Sequence, residues 1–147
     1  MRAASWGLAL LSACLLAFGA RAADVPLKAH GGALIVEATL NDRYTGRFLL
    51  DTGATYCVVS DDVAREAKIR GRLGGDAIRL QTINGPIEAN LGEVRKIEVG
   101  SASARDVEVA VTKDPPVPGL AGILGLSFLG RFTYSVDAKA GVLRLKR

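Results

Sequence analysis

Phe48-Leu49-Leu50-Asp51-Thr52-Gly53-Ala54-Thr55 is an apolar run that delivers one acid into a short polar turn, after which the chain climbs back into Tyr56-Cys57-Val58-Val59. A carboxylate set directly behind three large apolar residues loses water only at a cost, so it must be paired, hydrogen-bonded or protonated. Perturbed acids of this kind concentrate at functional sites. Thr52 brings a short hydroxyl able to bond neighbouring backbone, and Gly53 allows a positive φ or the close approach of a second backbone. The turn reads as a rigid cradle for Asp51. Taken alone, an Asp-Thr-Gly tripeptide is equally an ordinary turn with a surface acid, because short motifs recur by chance.

Working outward, the residues on both sides read as strands. Leu34 to Leu40 is apolar and β-branched, Asn41-Asp42 with Gly46 offers turn chemistry, and Phe48 to Asp51 is expected to return as the second arm of a hairpin that ends at the acid. Asp61-Asp62 can cap a short helix reaching about Lys68, with Val63, Ala64 and Ala67 inward, and Gly71 to Gly75 closes it as a loop. Ile78 to Ile83 and Ile87 to Leu91 flank Asn84-Gly85, a strong hairpin signal, so an amphipathic hairpin is expected. The pattern changes phase at Gly92-Glu93, which suggests a bulge in a long strand. Gly100 to Ala104 reads as a small-residue loop, and Val107, Val109 and Val111 as alternate positions of the next strand. Lys113-Asp114-Pro115-Pro116-Val117-Pro118-Gly119 cannot join a ladder and stiffens the approach to Leu120 through Gly125. A helical turn over Leu126 to Leu129, a strand through Tyr134 and Val136, and a last strand over Val142 to Leu145 complete the chain. Short strands at regular spacing with almost no helix imply an all-β, barrel-like lobe.

Two motifs now stand together: apolar-apolar-Asp51-Thr52-Gly53-Ala54-Thr55, and some seventy residues later Ile123-Leu124-Gly125. In that order and at that spacing they resemble the retropepsin-like aspartic proteases, and among them the small secreted bacterial members. The resemblance covers roughly residues 30 to 147. It implies a closed β-barrel lobe with a flap hairpin and one or two short helices, active as a homodimer, and aspartic endopeptidase activity on polypeptide substrates. Asp51 would be the catalytic acid, activating water together with a second carboxylate that shares one proton with it. No other acid in the chain precedes Thr-Gly or Ser-Gly, so that second carboxylate is expected to be Asp51 of another copy. Thr52, Gly53, Ala54 and Thr55 with Ile123, Leu124 and Gly125 would support the pair, and Thr82, Ile83, Asn84, Gly85, Pro86 and Ile87 would tip the flap over substrate. The Pro-rich loop would form part of a side-chain pocket wall. No metal or organic cofactor is required. The viral members place an Asp after D-T-G-A where this chain has Thr55, and an Arg after the apolar-apolar-Gly where it has Leu126, so their ion pair near the dimer interface is missing here. The alternative from another class is a domain of the same fold that binds peptide or protein without cleaving it.

The chain has 147 residues. Residues 1–23 have the layout of a secretory signal: Arg2, an apolar stretch from Trp6 to Ala20, then Ala20-Arg21-Ala22 as a peptidase site. That stretch is shorter than the ~20 residues that span a bilayer, so cleavage after Ala22 or Ala23 and export to the periplasm or the outside are expected. A rival is lipidation at Cys14, because Leu11-Ser12-Ala13-Cys14 resembles a lipobox; membrane contact is expected only through an uncleaved leader or that lipid. Residues 24–147 form the single domain that remains, too small for a second lobe. Of the 19 Lys and Arg, Arg2 and Arg21 lie in the leader while all 15 acids follow it, so the remainder is only weakly basic and has no basic run that points to nucleic acid. Without the leader Cys57 is the only cysteine, which excludes an intrachain disulfide, and its place in an apolar run reads as a buried strand thiol. His30, the only histidine, reads as a loop residue, leaving little material for a zinc site or a Ser-His-Asp triad.

Overall fold

The computed structural model describes residues 22–71, 77–82 and 84–147; the leader, most of the loop after Gly71 and the flap residue Ile83 lie outside it. The centre is a ring of six strands: β3 (Ala33–Leu40), β4 (Tyr44–Leu50), β10 (Gly122–Leu124), β5 (Cys57–Ser60), β9 (Ala102–Thr112) and β8 (Gly85–Val99), which pairs with β3 again and closes the barrel. β2 (Lys28–His30) extends β3 on the outside, while β6 (Arg70–Gly71) and β7 (Ala77–Thr82) pair with β8. A separate three-stranded sheet is ordered β1 (Ala23–Pro26), β12 (Val142–Lys146), β11 (Thr133–Asp137). Two short helices, α1 (Asp61–Glu66) and α2 (Leu126–Leu129), complete the described elements. The fold is the expected all-β, barrel-like lobe.

The β-branched and aromatic residues that suggested strands fill the interior: Val36, Leu40, Phe48, Val59, Val94, Ile97, Val107 and Leu124 are buried in one cluster with Phe128 and Leu129 of α2. Burial of that apolar surface is the main favourable term in folding.

Several local expectations shift. Ser60 caps α1, accepting the Val63 N–H at 3.4 Å, so Asp61 and Asp62 form its first turn. Gly46 lies inside β4, where Ala121 packs too close to admit a side chain. β9 begins at Ala102, since Ala102 and Ala104 bury their small side chains beside β8. No register slip occurs at Gly92-Glu93, which pair with Val109 and Glu108 in an unbroken run. The phase change has another cause: Arg95 and Asp106 do not pair, Asp106 has φ +52°, and both strands turn over their faces there together. β1 and β2 escape a reading by pattern because they are short and lie at edges, where Pro26 is tolerated. His30 ends β2 and pairs with Ala33.

Asn41 pins three elements. It is 5 % exposed at φ +53°, a conformation that Asn tolerates better than most residues. Its Nδ2 donates to Ala67 O behind α1 at 2.9 Å, and its Oδ1 accepts from Lys96 N on β8 at 3.1 Å. Beside it the Lys96 ammonium pairs with Asp42 and holds that exposed carboxyl below the usual range, so this small contribution is lost as the pH falls through the lowered value. Asn41→Ala is expected to destabilise the lobe by about 2–4 kcal/mol, because it orphans a buried carbonyl and a half-buried N–H and leaves Ala in a left-handed conformation. Urea unfolding with an unchanged m-value measures the loss.

Candidate active site

β4 and β10 run parallel with Leu49 opposite Ile123 and Leu50 opposite Leu124, so the two sequence motifs are neighbouring strands. The ladder continues one step past β4, where Asp51 N donates to Leu124 O at 3.1 Å. Beyond that bond the chain turns. Gly53 N donates to Asp51 Oδ1 at 2.8 Å and Ala54 N to Asp51 O at 3.3 Å, an Asx-type turn that fixes the carboxylate by its own backbone. Asp51 is half-buried, and Thr52, Gly53 and Thr55 are exposed. The brace inside one chain is thus the Gly53 amide, and Thr52 has no side-chain hydrogen bond among the described residues.

The far side of the turn is fastened to the start of α2. Leu126 N donates to Ala54 O at 2.8 Å and Ser127 N to Thr55 O at 2.9 Å, while Cys57 N donates to Ser127 Oγ at 2.9 Å. Gly125 permits this closeness: a Cβ there would run into the carbonyls of Tyr56 and Ala54. Cys57 is buried with its sulfur against Gly125, and burial pushes its thiol above the ordinary value. It is a packing residue. Ser127 is the contributor that the sequence reading missed; a hydroxyl in the first turn of a helix is the signal that could have found it.

A row of apolar side chains crosses the sheet beside Asp51, because Leu49, Ile123, Val58 and Ala110 are successive register partners on β4, β10, β5 and β9. Val58, Ala110 and Ala89 are buried together, with Tyr56, Ile123, Ile78 and Leu80 half-buried against them. Ile78 and Leu80 belong to the β7–β8 hairpin, opposite Ala89 and Ile87. The expected flap therefore lies over the same face that carries Val58 and Ile123. Its turn is one residue earlier than Asn84-Gly85 suggested: Thr82 pairs with Gly85, which has φ +105°. The Thr82 hydroxyl donates to Gly85 O at 2.6 Å and accepts from Asn84 N at 3.2 Å, closing the turn from inside. Pro86 is exposed and Ile87 half-buried. The Pro-rich loop docks on the first half of β4, with Ala121 N donating to Arg47 O at 2.8 Å and the Arg47 guanidinium to Gly119 O at 3.3 Å. Among the described residues no three His, Cys, Asp or Glu side chains converge as a metal site would require.

One acid presented in an Asx turn, a parallel Ile-Leu-Gly strand beneath it and a hairpin over an apolar face form a recognisable set. Residues 36–128, from β3 through α2, match the sequence model of the aspartyl protease family. The chain belongs to the aspartyl protease family. A solved structure of a retropepsin-like aspartic protease from Rickettsia conorii superposes with a TM-score of 0.64 over 87% of this chain and 93% of that one, at 19% identity, a likeness of fold. No curated protein matches the chain. Family and fold together support a protease-type function. The matched segment of this aspartyl protease family member holds both motifs and the flap, and leaves β1, β2, β11 and β12 outside.

Proposed function

We propose that this chain is an aspartic endopeptidase whose active form is a homodimer, with water held between two Asp51 carboxylates. The observation that carries the reading is the half-site: Asp51 is oriented by the Gly53 amide and has no acid partner by hydrogen bond or ion pair among the described residues. Two like charges at contact distance cannot both ionise, so a pair of Asp51 side chains shares one proton. The ionised member takes a proton from water as it attacks the peptide carbonyl, and the protonated member donates to that carbonyl oxygen. Tyr56, Val58 and Ile123 beside the acid, under Ile78 and Leu80, favour substrates with apolar side chains flanking the scissile bond. No step calls for a metal or an organic cofactor.

The test is incubation with a mixed peptide library from acid to neutral pH, with and without pepstatin. Activity per chain is expected to rise with protein concentration until dimers saturate, since neither copy holds both acids. A species that sediments as a monomer and cleaves at full rate at nanomolar concentration would sink the reading, and binding of peptide without cleavage would favour the non-catalytic alternative.

The protease is also proposed to be exported, its leader removed near Ala22. Ala23 is 4 % exposed and pairs with Leu145, so cleavage after Ala22 keeps β1 whole whereas cleavage after Ala23 trims its first pair. Intact-mass measurement is expected to find a chain beginning at Ala23; a lipid on Cys14 would overturn this.

A further inference from the structure

A second row of the sheet borders the apolar row beside Asp51. Arg47, Ala121, Ser60 and Thr112 follow one another across β4, β10, β5 and β9, each two residues from Leu49, Ile123, Val58 and Ala110 and therefore on the same face. Thr112 and Ala121 are the two ends of the Pro-rich loop, so the loop leaves the sheet at the margin of the apolar row. At one end the Thr112 hydroxyl lies 3.2 Å from Val59 O and 2.8 Å from Asp114 O. The other end hangs on Arg47, whose carbonyl accepts from Ala121 N at 2.8 Å and whose guanidinium donates to Gly119 O at 3.3 Å. The tip between them is a turn: Leu120 N donates to Val117 O at 3.2 Å around Pro118 and Gly119, and Gly119 has φ +77°, the pattern of a type II turn. With Pro115 and Pro116 before it, the loop is stiff and shifts as one piece.

Behind this stiff piece the lobe is not filled. A cleft of about 550 Å³ separates Pro115, Gly119 and Leu120 of the loop from Tyr44 of β4 and Val63 of α1. The loop has room to recede, and the Arg47 side chain is the tether at that cleft. Glu37 is the register partner of Arg47 on β3, yet the two form no ion pair among the described residues, so the guanidinium is committed to the loop. We propose that Arg47 is a positioning residue that sets specificity: it holds the loop at the margin of the apolar row and so fixes the width of the cleft that receives side chains flanking the scissile bond. The inference rests on the endopeptidase reading above. Released from Arg47, the loop sinks toward Tyr44 and Val63, and large substrate side chains gain over small ones. Asp51, four residues further along the chain, keeps its own bonds to Gly53 and Leu124. One exposed hydrogen bond shifts such an equilibrium by roughly threefold to tenfold, which sets the scale of the effect.

Two peptides that differ only in Val or Phe at one residue flanking the scissile bond provide the test. Arg47→Met, which keeps the apolar stem, is expected to raise the Phe-over-Val ratio of kcat/KM about fivefold and to leave kcat on the better peptide within about threefold. A merely structural loss would lower both peptides alike. Arg47→Lys, still able to donate to Gly119 O, is expected to stay within about twofold of wild type, as is Arg43→Met at an exposed turn. Gly119→Ala, which disfavours the positive φ of the tip, is expected to shift the ratio in the same direction as Arg47→Met. Hydrogen exchange at the Leu120 amide is expected to quicken about fivefold in Arg47→Met, whether or not substrate is present. An unchanged ratio in both Arg47→Met and Gly119→Ala, with cleavage intact, overturns the inference and leaves the two-Asp51 reading standing. If the wild type cleaves neither peptide, the endopeptidase reading falls and the Phe-over-Val ratio is taken from peptide binding, where an unchanged ratio overturns the inference as well.

Discussion

Asp51→Asn is expected to abolish peptide cleavage, with a loss of at least about a thousandfold, while the lobe stays folded. Asn keeps the shape of the side chain and still offers an oxygen to Gly53 N–H, the bond that closes the turn at 2.8 Å, so the loop has no reason to rearrange. What disappears is chemical: an amide can neither take a proton from water nor hold the proton that two carboxylates would share, and general base and general acid assistance go together. Thermal stability should change little or rise, because in the proposed dimer two acids would no longer be held against one another. The wild type should show a bell-shaped pH profile weighted to the acid side, a property of the pair and not of either acid. Turnover, melting and sedimentation on the purified variant check the three parts separately. Cleavage retained by a folded Asp51→Asn would mean that the chemistry runs elsewhere.

How much of this was legible beforehand follows from the kind of signal each element carries. Strands such as Ala33–Leu40 and Val142–Lys146 advertise themselves by β-branched residues and alternation, and the ends of β4 and β10 by the motifs they deliver. The parallel pairing of β4 with β10 is non-local, over seventy residues apart in sequence, and came only through resemblance to a family. The single-residue shift of the flap turn was hidden because Thr82 decides it with its hydroxyl, whereas Asn84-Gly85 is only a propensity. Ser127 was opaque for a similar reason: a hydroxyl has many uses, and only the packing of α2 against the loop selects one. The twist-over at Arg95 and Asp106 was read in the wrong place, since the hydrophobic pattern records which face is buried and not which residue turns.

Gly125 carries the second large expectation. Gly125→Ala should lower stability by about 3 kcal/mol, the upper end for overpacking, and the melting temperature by roughly 10 °C. The added methyl would meet Tyr56 O and, at 2.7 Å, Ala54 O, and both are main-chain atoms that no rotamer change can move aside. Backbone conformation is not the difficulty, for Gly125 has φ −111°, which alanine adopts freely. Relief therefore requires the loop to back away from α2. That movement stretches the bond from Leu126 N to Ala54 O, now 2.8 Å, and carries Asp51 with it, since Ala54 N is tied to Asp51 O. A carboxylate displaced by about 1 Å from the second acid of the proposed dimer costs on the order of a hundredfold in rate, so kcat should fall further than the folded fraction does. Gly71→Ala is the control: it lies at an exposed edge with nothing within 4 Å of the new methyl, and should stay within about 0.5 kcal/mol of wild type. Equal melting of the two variants would show that the Asp51 loop does not rest on Gly125, and the bracing of the acid by the Ile-Leu-Gly strand would fall with it.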